Sequence, residues 1–356
     1  MVLTIIINRR SVPEVKTPKF LLPALAASAA LVLAGCSTTA TNASTGSDGD
    51  LKVVATTTQI ADLTRNIVGD TDGVSITQLI QPNQSAHSYD PSVADLTALG
   101  EADVLVINGV GLEEWLDDAI EASGFDGITI DSDEGITILG GEAGHEDEAA
   151  HDDEAAGASA EDHDHDGGNP HIWTDVSNAE TMVATIADGL VAASSTHAAD
   201  FEANEAVYAG RLAELDAWIR ENIDTVPAAE RLLVSNHDAF GYFTAAYDIT
   251  YVGSVIPSFD DNAEPSAAEI DALVAAVKAT GVKAVFSEAS INPKAADTIA
   301  AEAGVAVYSG EDALYGDSLG PADSDGATYV ATQLHNVRLI LESWGVTPSA
   351  VPADLQ

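Results

Sequence analysis

Cysteine and positive charge are what this chain has least of. One cysteine, Cys36, stands in 356 residues, and 13 lysines and arginines face 58 aspartates and glutamates, for a net charge of −45. A single thiol excludes any intramolecular disulfide. So large a negative charge argues against a nucleic-acid partner, because a phosphate backbone would be repelled, and it disfavours anionic ligands at long range. A cation is the partner such a surface attracts, although solubility in a salty medium accounts for many of the same charges. Aromatic residues are also scarce, at 5%, while hydrophobic residues reach 46%. Alanine supplies much of that apolar share, which suits alanine-rich helices around substantial cores.

The length fits two lobes of ordinary domain size. Residues 1–35 read as an export signal: Arg9, Arg10, Lys16 and Lys19 precede the apolar run "FLLPALAASAALVLAGC", a basic front followed by a hydrophobic middle. Phe20 to Gly35 is short for a membrane span. The closing "LAGC" resembles a bacterial lipobox, which implies cleavage before Cys36 and lipidation of its thiol. Residues 36–50 are rich in Ser, Thr, Gly and Asp and read as a flexible tether.

From Leu51 onward short β-rich runs alternate with helical patterns. "LKVVATT", "VSITQLI", "DVLVING" and "GITIDS" read as strands with helices between them. After Pro227 the rhythm resumes with "RLLVSN", "ITYVGSV", "VKAVFSE" and "VAVYSG". Such alternation predicts an α/β fold with parallel sheets covered by helices on both faces. The expected layout is a first lobe over 51–197, a linking helix over 198–225 and a second lobe over 226–356. The linking segment has an apolar stripe of Phe201, Val207, Tyr208, Leu212, Leu215 and Ile219, with no break except Gly210. Its roughly 25 residues would span about 38 Å, enough to run from lobe to lobe. Residues 142–168 hold acidic residues, His, Ala and Gly with no core-forming run, and read as a disordered insertion.

Three candidate metal donors follow strand ends. His87 lies in "PNQSAHSYDPS" after the strand near Ile80, His237 in "VSNHDAFGYF" after that near Ser235, and Asp317 in "LYGDSLG" after "VAVYS". His171, in "NPHIWTD", sits at the foot of a helix. In doubly wound sheets ligands bind beyond the carboxyl ends of the strands, so the four positions are topologically able to share one crevice. Three imidazoles and a carboxylate suit Zn²⁺ in four-coordination, and a bidentate carboxylate would also serve Mn²⁺.

These words, together with "EPSAAEI", closely resemble the metal-binding receptors of bacterial ABC importers, the cluster A-I solute-binding proteins of ZnuA/TroA type. The resemblance runs from about Leu51 to Trp344. It implies two α/β lobes joined by a long rigid helix, with one divalent metal between them. Its ligands would be His87 and His171 from the first lobe and His237 and Asp317 from the second. It also implies a lipid-anchored extracytoplasmic protein that passes its ion to a membrane permease, the chain being expected to act as a monomer. Two departures spare the ligands: Asn169 stands where Asp is usual, and Val176 follows Asp175 where Pro is common. Histidine at the third ligand favours zinc over manganese, since Mn²⁺ prefers oxygen.

The remaining histidines divide. His145, His151, His163 and His165 belong to the acidic insertion and would form at most weak accessory metal sites, because a flexible segment loses entropy when it wraps an ion. His197 and His335 read as surface or packing residues on helices. A zinc hydrolase is a poor alternative: four protein donors leave no open position for water, and H-E-x-x-H does not occur. A Ser235–His237–Asp317 triad would lack an elbow motif. A surface adhesin using metal only for stability remains a third reading.

Overall fold

The first four strands form one parallel sheet in the order β2-β1-β3-β4: β1 Leu51–Ala55, β2 Val74–Gln78, β3 Val104–Ile107 and β4 Ile128–Asp131. The computed structural model describes residues 50–140 and 168–356. The expected signal segment, Cys36, nearly all of the tether, and His145, His151, His163 and His165 lie outside them. Helices α1 Thr58–Val68, α2 Val93–Gly100 and α3 Leu116–Ser123 connect the strands, and α4 Val176–Ala193 precedes the long α5 Ala198–Ile223.

Strand residues alternate between two apolar clusters. Val53, Ala55, Val104 and Val106 face the main core, while Val54 and Leu105 face a smaller cluster with Leu79, Leu99 and Leu116. This period of two is the pleat of a sheet buried on both faces.

The second half repeats the rhythm: β5 Leu232–His237, α6 Gly241–Ala246, β6 Thr250–Ile256, α7 Ala267–Thr280, β7 Ala284–Phe286, α8 Lys294–Ala303, β8 Ala306–Tyr308 and α9 Tyr329–Ser343. The same alternation holds. Leu233, Ala284 and Phe286 join the main core, and Val234 and Val285 join a second cluster with Leu273, Val277 and Ile299. The strands here pair as two separate parallel ladders, β5-β6 and β7-β8. The β5-β6 ladder slips by one residue: Leu233 pairs with Tyr251 but Val234 with Gly253. Gly253 adopts φ +145°, a region open to glycine, and a side chain there would press on Leu273.

Helix α5 has 26 residues and packs against α1 and α4 on one side of the sequence and α9 on the other. Phe201, Tyr208, Leu212, Leu215, Trp218, Ile219, Asn222 and Ile223 are its buried face. Val207 corrects the expected stripe: it is 75% exposed. One residue turns the helix by about 100°, so a stripe that includes Tyr208 leaves its neighbour facing water. Among the described residues no helix is long and apolar enough to cross a membrane.

Candidate metal centre

His237 is the last residue of β5, and its side chain is wholly buried. The other three donors sit on irregular backbone held by specific bonds. Beyond β2 the chain stays tied to β1, through Leu79 N–H to Ala55 O and Ile80 N–H to Thr56 O, both at 3.0 Å. It then reaches His87, whose neighbour Ala86 accepts the Trp115 indole N–H at 3.2 Å. His171 precedes a 3-10 turn, Ile172–Thr174, whose Thr174 hydroxyl donates back to the His171 carbonyl at 2.9 Å. Asp317 lies in a turn clamped from both halves. The Gly316 carbonyl accepts from Gln59 Nε2 at 3.1 Å and Trp173 Nε1 at 3.3 Å. The Asn336 side chain bonds both backbone groups of Tyr315, and Thr58 Oγ1 accepts from Leu319 N–H at 2.8 Å.

The structure brings the four donors together. One ligand atom from each of His87, His171, His237 and Asp317 lies within 4.8 Å of the others. His171 Nε2 is 3.4 Å from His87 Nε2 and 3.2 Å from His237 Nε2. Asp317 Oδ1 is 3.1 Å from both His171 Nε2 and His237 Nε2, and Asp317 Oδ2 is 3.4 Å from His87 Nε2. A tetrahedral zinc with bonds of about 2.0–2.1 Å sets its donors roughly 3.3 Å apart. The observed separations lie close to that value and the whole set falls within 4.8 Å, so small shifts would let the four residues close on such an ion.

Two of the three imidazoles, His171 and His237, are oriented from behind. His171 gives both its backbone N–H, at 3.0 Å, and its ring Nδ1, at 2.8 Å, to Asn169 Oδ1. His237 repeats the pattern on Glu288 Oε1, at 3.0 and 2.8 Å. An oxygen already accepting a backbone N–H is an acceptor for the ring as well, so each Nδ1 carries a proton and each Nε2 faces the pocket, offering its lone pair once unprotonated. In the sequence Asn169 stands out only as a departure from a pattern. Glu288 carries no sequence signal at all: it ends "VKAVFSE", where a carboxylate after a strand is unremarkable, and its partner is 51 residues away.

The three imidazoles do not share one electrostatic environment. Burial pulls His171 down to about 4, only partly opposed by Asp317. Burial also opposes protonation of His237, but the Asp317 and Glu288 carboxylates outweigh it and hold His237 well above the usual range. For His87 burial is likewise overcome, by the Asp317 hydrogen bond and charge, and the shift is upward. Asp317 stands well below an ordinary carboxyl despite burial, because His237 and His171 face it. Burial raises Glu288, and the His237 ring pulls it part of the way back.

The other described histidines serve packing, as their sequence context suggests. His335 is buried, with Nε2 2.9 Å from the Ala313 carbonyl, and His197 stands at the start of α5. The hydrolytic triad fails on geometry. Ser235 Oγ donates to the His237 carbonyl at 2.6 Å and lies 2.9 Å from Tyr251 Oη, so the hydroxyl is engaged away from the imidazole.

Parallel sheets flanked by helices, a long helix between two βα halves, and a buried three-histidine, one-carboxylate cluster define a metal-receptor protein of the periplasmic-binding kind. The chain belongs to the family described as zinc-uptake complex component A, periplasmic, whose model matches residues 53–343. It is therefore a substrate-binding transport component and not an enzyme. A relative named manganese-binding lipoprotein MntA, from Halalkalibacterium halodurans, is 31% identical over 308 residues, covering 86% of this chain and 93% of that protein. Zinc-binding protein AdcA of Streptococcus pyogenes is 31% identical over 305 residues; the match covers 84% of this chain and 57% of that longer protein. Among solved structures, the periplasmic zinc-binding protein TroA from Treponema pallidum superposes with a TM-score of 0.71 at 26% identity, over 83% of this chain and 99% of that one. A manganese-bound periplasmic metal-binding protein from Candidatus Liberibacter asiaticus shares the fold, with a TM-score of 0.69 at 24% identity over 82% of this chain and 99% of that one.

Proposed function

We propose that this protein captures Zn²⁺ outside the cytoplasm and delivers it to an ABC permease. The observation that carries the reading is the convergence of His87, His171, His237 and Asp317, whose ligand atoms all lie within 4.8 Å of one another. Capture exchanges the ion's water for three neutral nitrogens and one carboxylate oxygen. The negative surface raises the local cation concentration and speeds encounter. Each half of the chain contributes two donors, so a filled site fixes their relative arrangement, and that arrangement is what a permease would recognise. The export signal over 1–35 and lipidation at Cys36 complete the proposal, placing the protein on the outer face of the cell membrane through its tether. His145, His151, His163 and His165 would concentrate zinc weakly near the cleft.

Manganese is the second reading. It is supported by the name of the MntA relative and by Asp317 Oδ2, which faces His87 at 3.4 Å inside the cluster and could make a second metal bond. Competitive titration of the full chain with Zn²⁺ and Mn²⁺ decides between them. One tight zinc site is expected, lost in His237→Ala and retained when residues 142–166 are removed. Tight binding that disappears with that segment instead would sink the assignment.

A further inference from the structure

Glu288 is buried to 1% exposure, just beyond the end of β7, and is not one of the four donors that cluster. Its Oε1 accepts both the His237 ring N–H and the His237 backbone N–H. Its Oε2 is buried with no hydrogen-bond partner among the described residues. Backbone bonds fix the residue on either side: Leu314 N–H donates to the Ser287 carbonyl and Ala289 N–H to the Leu314 carbonyl, both at 2.9 Å. These bonds tie Glu288 to the segment that carries Asp317. Gly316 closes over the carboxylate so tightly that a methyl group there would collide with Oε2. A full carboxylate buried at such cost, when a neutral amide performs the same hydrogen bonding behind His171, calls for a reason beyond orientation.

Charge supplies the reason. The four donors comprise three neutral imidazoles and a single carboxylate, one negative charge against a doubly charged ion. With burial this complete, the remaining positive charge would be expensive to leave uncompensated. Glu288 adds the second negative charge one imidazole away from the ion. It also makes the His237 Nε2 a stronger donor, as carboxylates behind metal-bound histidines do.

We infer that Glu288 is a positioning and charge-balancing residue that sets the site's affinity for divalent zinc through His237, without itself touching the metal. The inference rests on the receptor reading above. Because it acts through an imidazole, and imidazole favours zinc more than manganese, its loss weakens zinc more than manganese.

The test is competitive titration of the full chain with Zn²⁺ and Mn²⁺, on Glu288→Gln, Glu288→Asp and His237→Ala, with visible spectra of the Co²⁺-loaded proteins. Glutamine keeps the acceptor oxygen and removes the charge. The expected result is a zinc affinity roughly 10–100-fold lower in Glu288→Gln, a smaller loss for manganese, and a Co²⁺ ligand-field spectrum of unchanged shape, which shows the same four donors in place. Glu288→Asp keeps the charge but shortens its reach, and should fall between parent and Gln. If circular dichroism shows Glu288→Gln unfolded, the Asp variant decides by the same measurement. Zinc affinity within twofold of the parent in the folded variants, with His237→Ala inactive, would overturn the inference and leave the receptor reading intact. Equal losses for zinc and manganese would also overturn it. Unaltered tight binding in His237→Ala would instead overturn the receptor reading itself.

Discussion

The two halves hold their histidines in different ways, and the contrast concerns charge and backing. In the second half His237 ends a strand and leans on a carboxylate. In the first half His171 sits in a loop and leans on the amide of Asn169, two residues earlier. His87, also on irregular backbone, is the least enclosed donor, with 9% of its side chain exposed. Among the described residues no hydrogen bond backs its ring; Nε2 meets only the cluster itself. One half thus gives its strand histidine a charged support, and the other includes a donor at the rim with no backing hydrogen bond among the described residues. A receptor must both hold and surrender its ion, and this asymmetry separates the two tasks: His87 is the donor expected to leave first.

The largest effect should come from breaking the charged side. His237→Ala removes a ligand and also takes the ring N–H from buried Glu288, which keeps only the backbone N–H of position 237, a loss typically worth about 1–3 kcal/mol. His87→Ala removes a ligand at the rim, where water can take the vacant position. Tight zinc binding should vanish in His237→Ala and survive, weakened and with faster release, in His87→Ala. Stopped-flow chelator competition measures both. Equal losses in the two variants would erase the asymmetry.

The first half has its own buried glutamate, and it is a useful contrast to Glu288. Glu113 accepts from Thr56 Oγ1 at 2.6 Å and from the backbone N–H groups of Asn108 at 2.8 Å and Gly109 at 3.3 Å. Asn108 in turn donates Nδ2–H to the Pro170 carbonyl at 3.0 Å, beside His171. Glu113 therefore braces a loop and reaches a ligand only indirectly, through Asn108 and the Pro170 carbonyl. Burial raises its carboxyl from 4.5 to about 7, against those three hydrogen bonds and with a minor push from Asp131. Between those two values the folded chain keeps a proton that the unfolded chain has released. Stability should then fall as pH rises through the window, by about 3 kcal/mol in all, and level off above it. Glu113→Gln removes that contribution. Calorimetry of parent and variant from about pH 4.5 to 8 should show the parent losing ground relative to the variant as pH rises. Parallel curves would mean that the carboxyl titrates normally.

Much of this was legible in the chain. Alternating β and α patterns are local and periodic, so the order of elements could be read directly, and the words around His87, His171, His237 and Asp317 marked the four residues that the fold brings together. Glu288 was not legible, because a hydrogen bond across 51 residues leaves no trace in either neighbourhood. Nor was the division of the second half into two ladders, with its extra residue beside Gly253. Val207 failed for a different reason. Apolar identity was counted as evidence of burial, whereas the face of a helix is fixed by phase, and Phe201, Tyr208, Leu212, Leu215 and Ile219 already define one.

That error leads to the smallest effect. Helix α5 lies between the two halves in sequence, and its buried face packs on α1, α4 and α9. Val207 points away from that face and is 75% exposed. Val207→Gln should change stability by no more than about 0.5 kcal/mol, as surface substitutions do, since glutamine is the better helix former and little apolar packing is at stake. Zinc affinity and release rate should match the parent's. Thermal melts with and without zinc check the first, and chelator competition checks the second. A fall of several degrees in Tm, or a changed release rate, would show that the outer face of α5 matters as well.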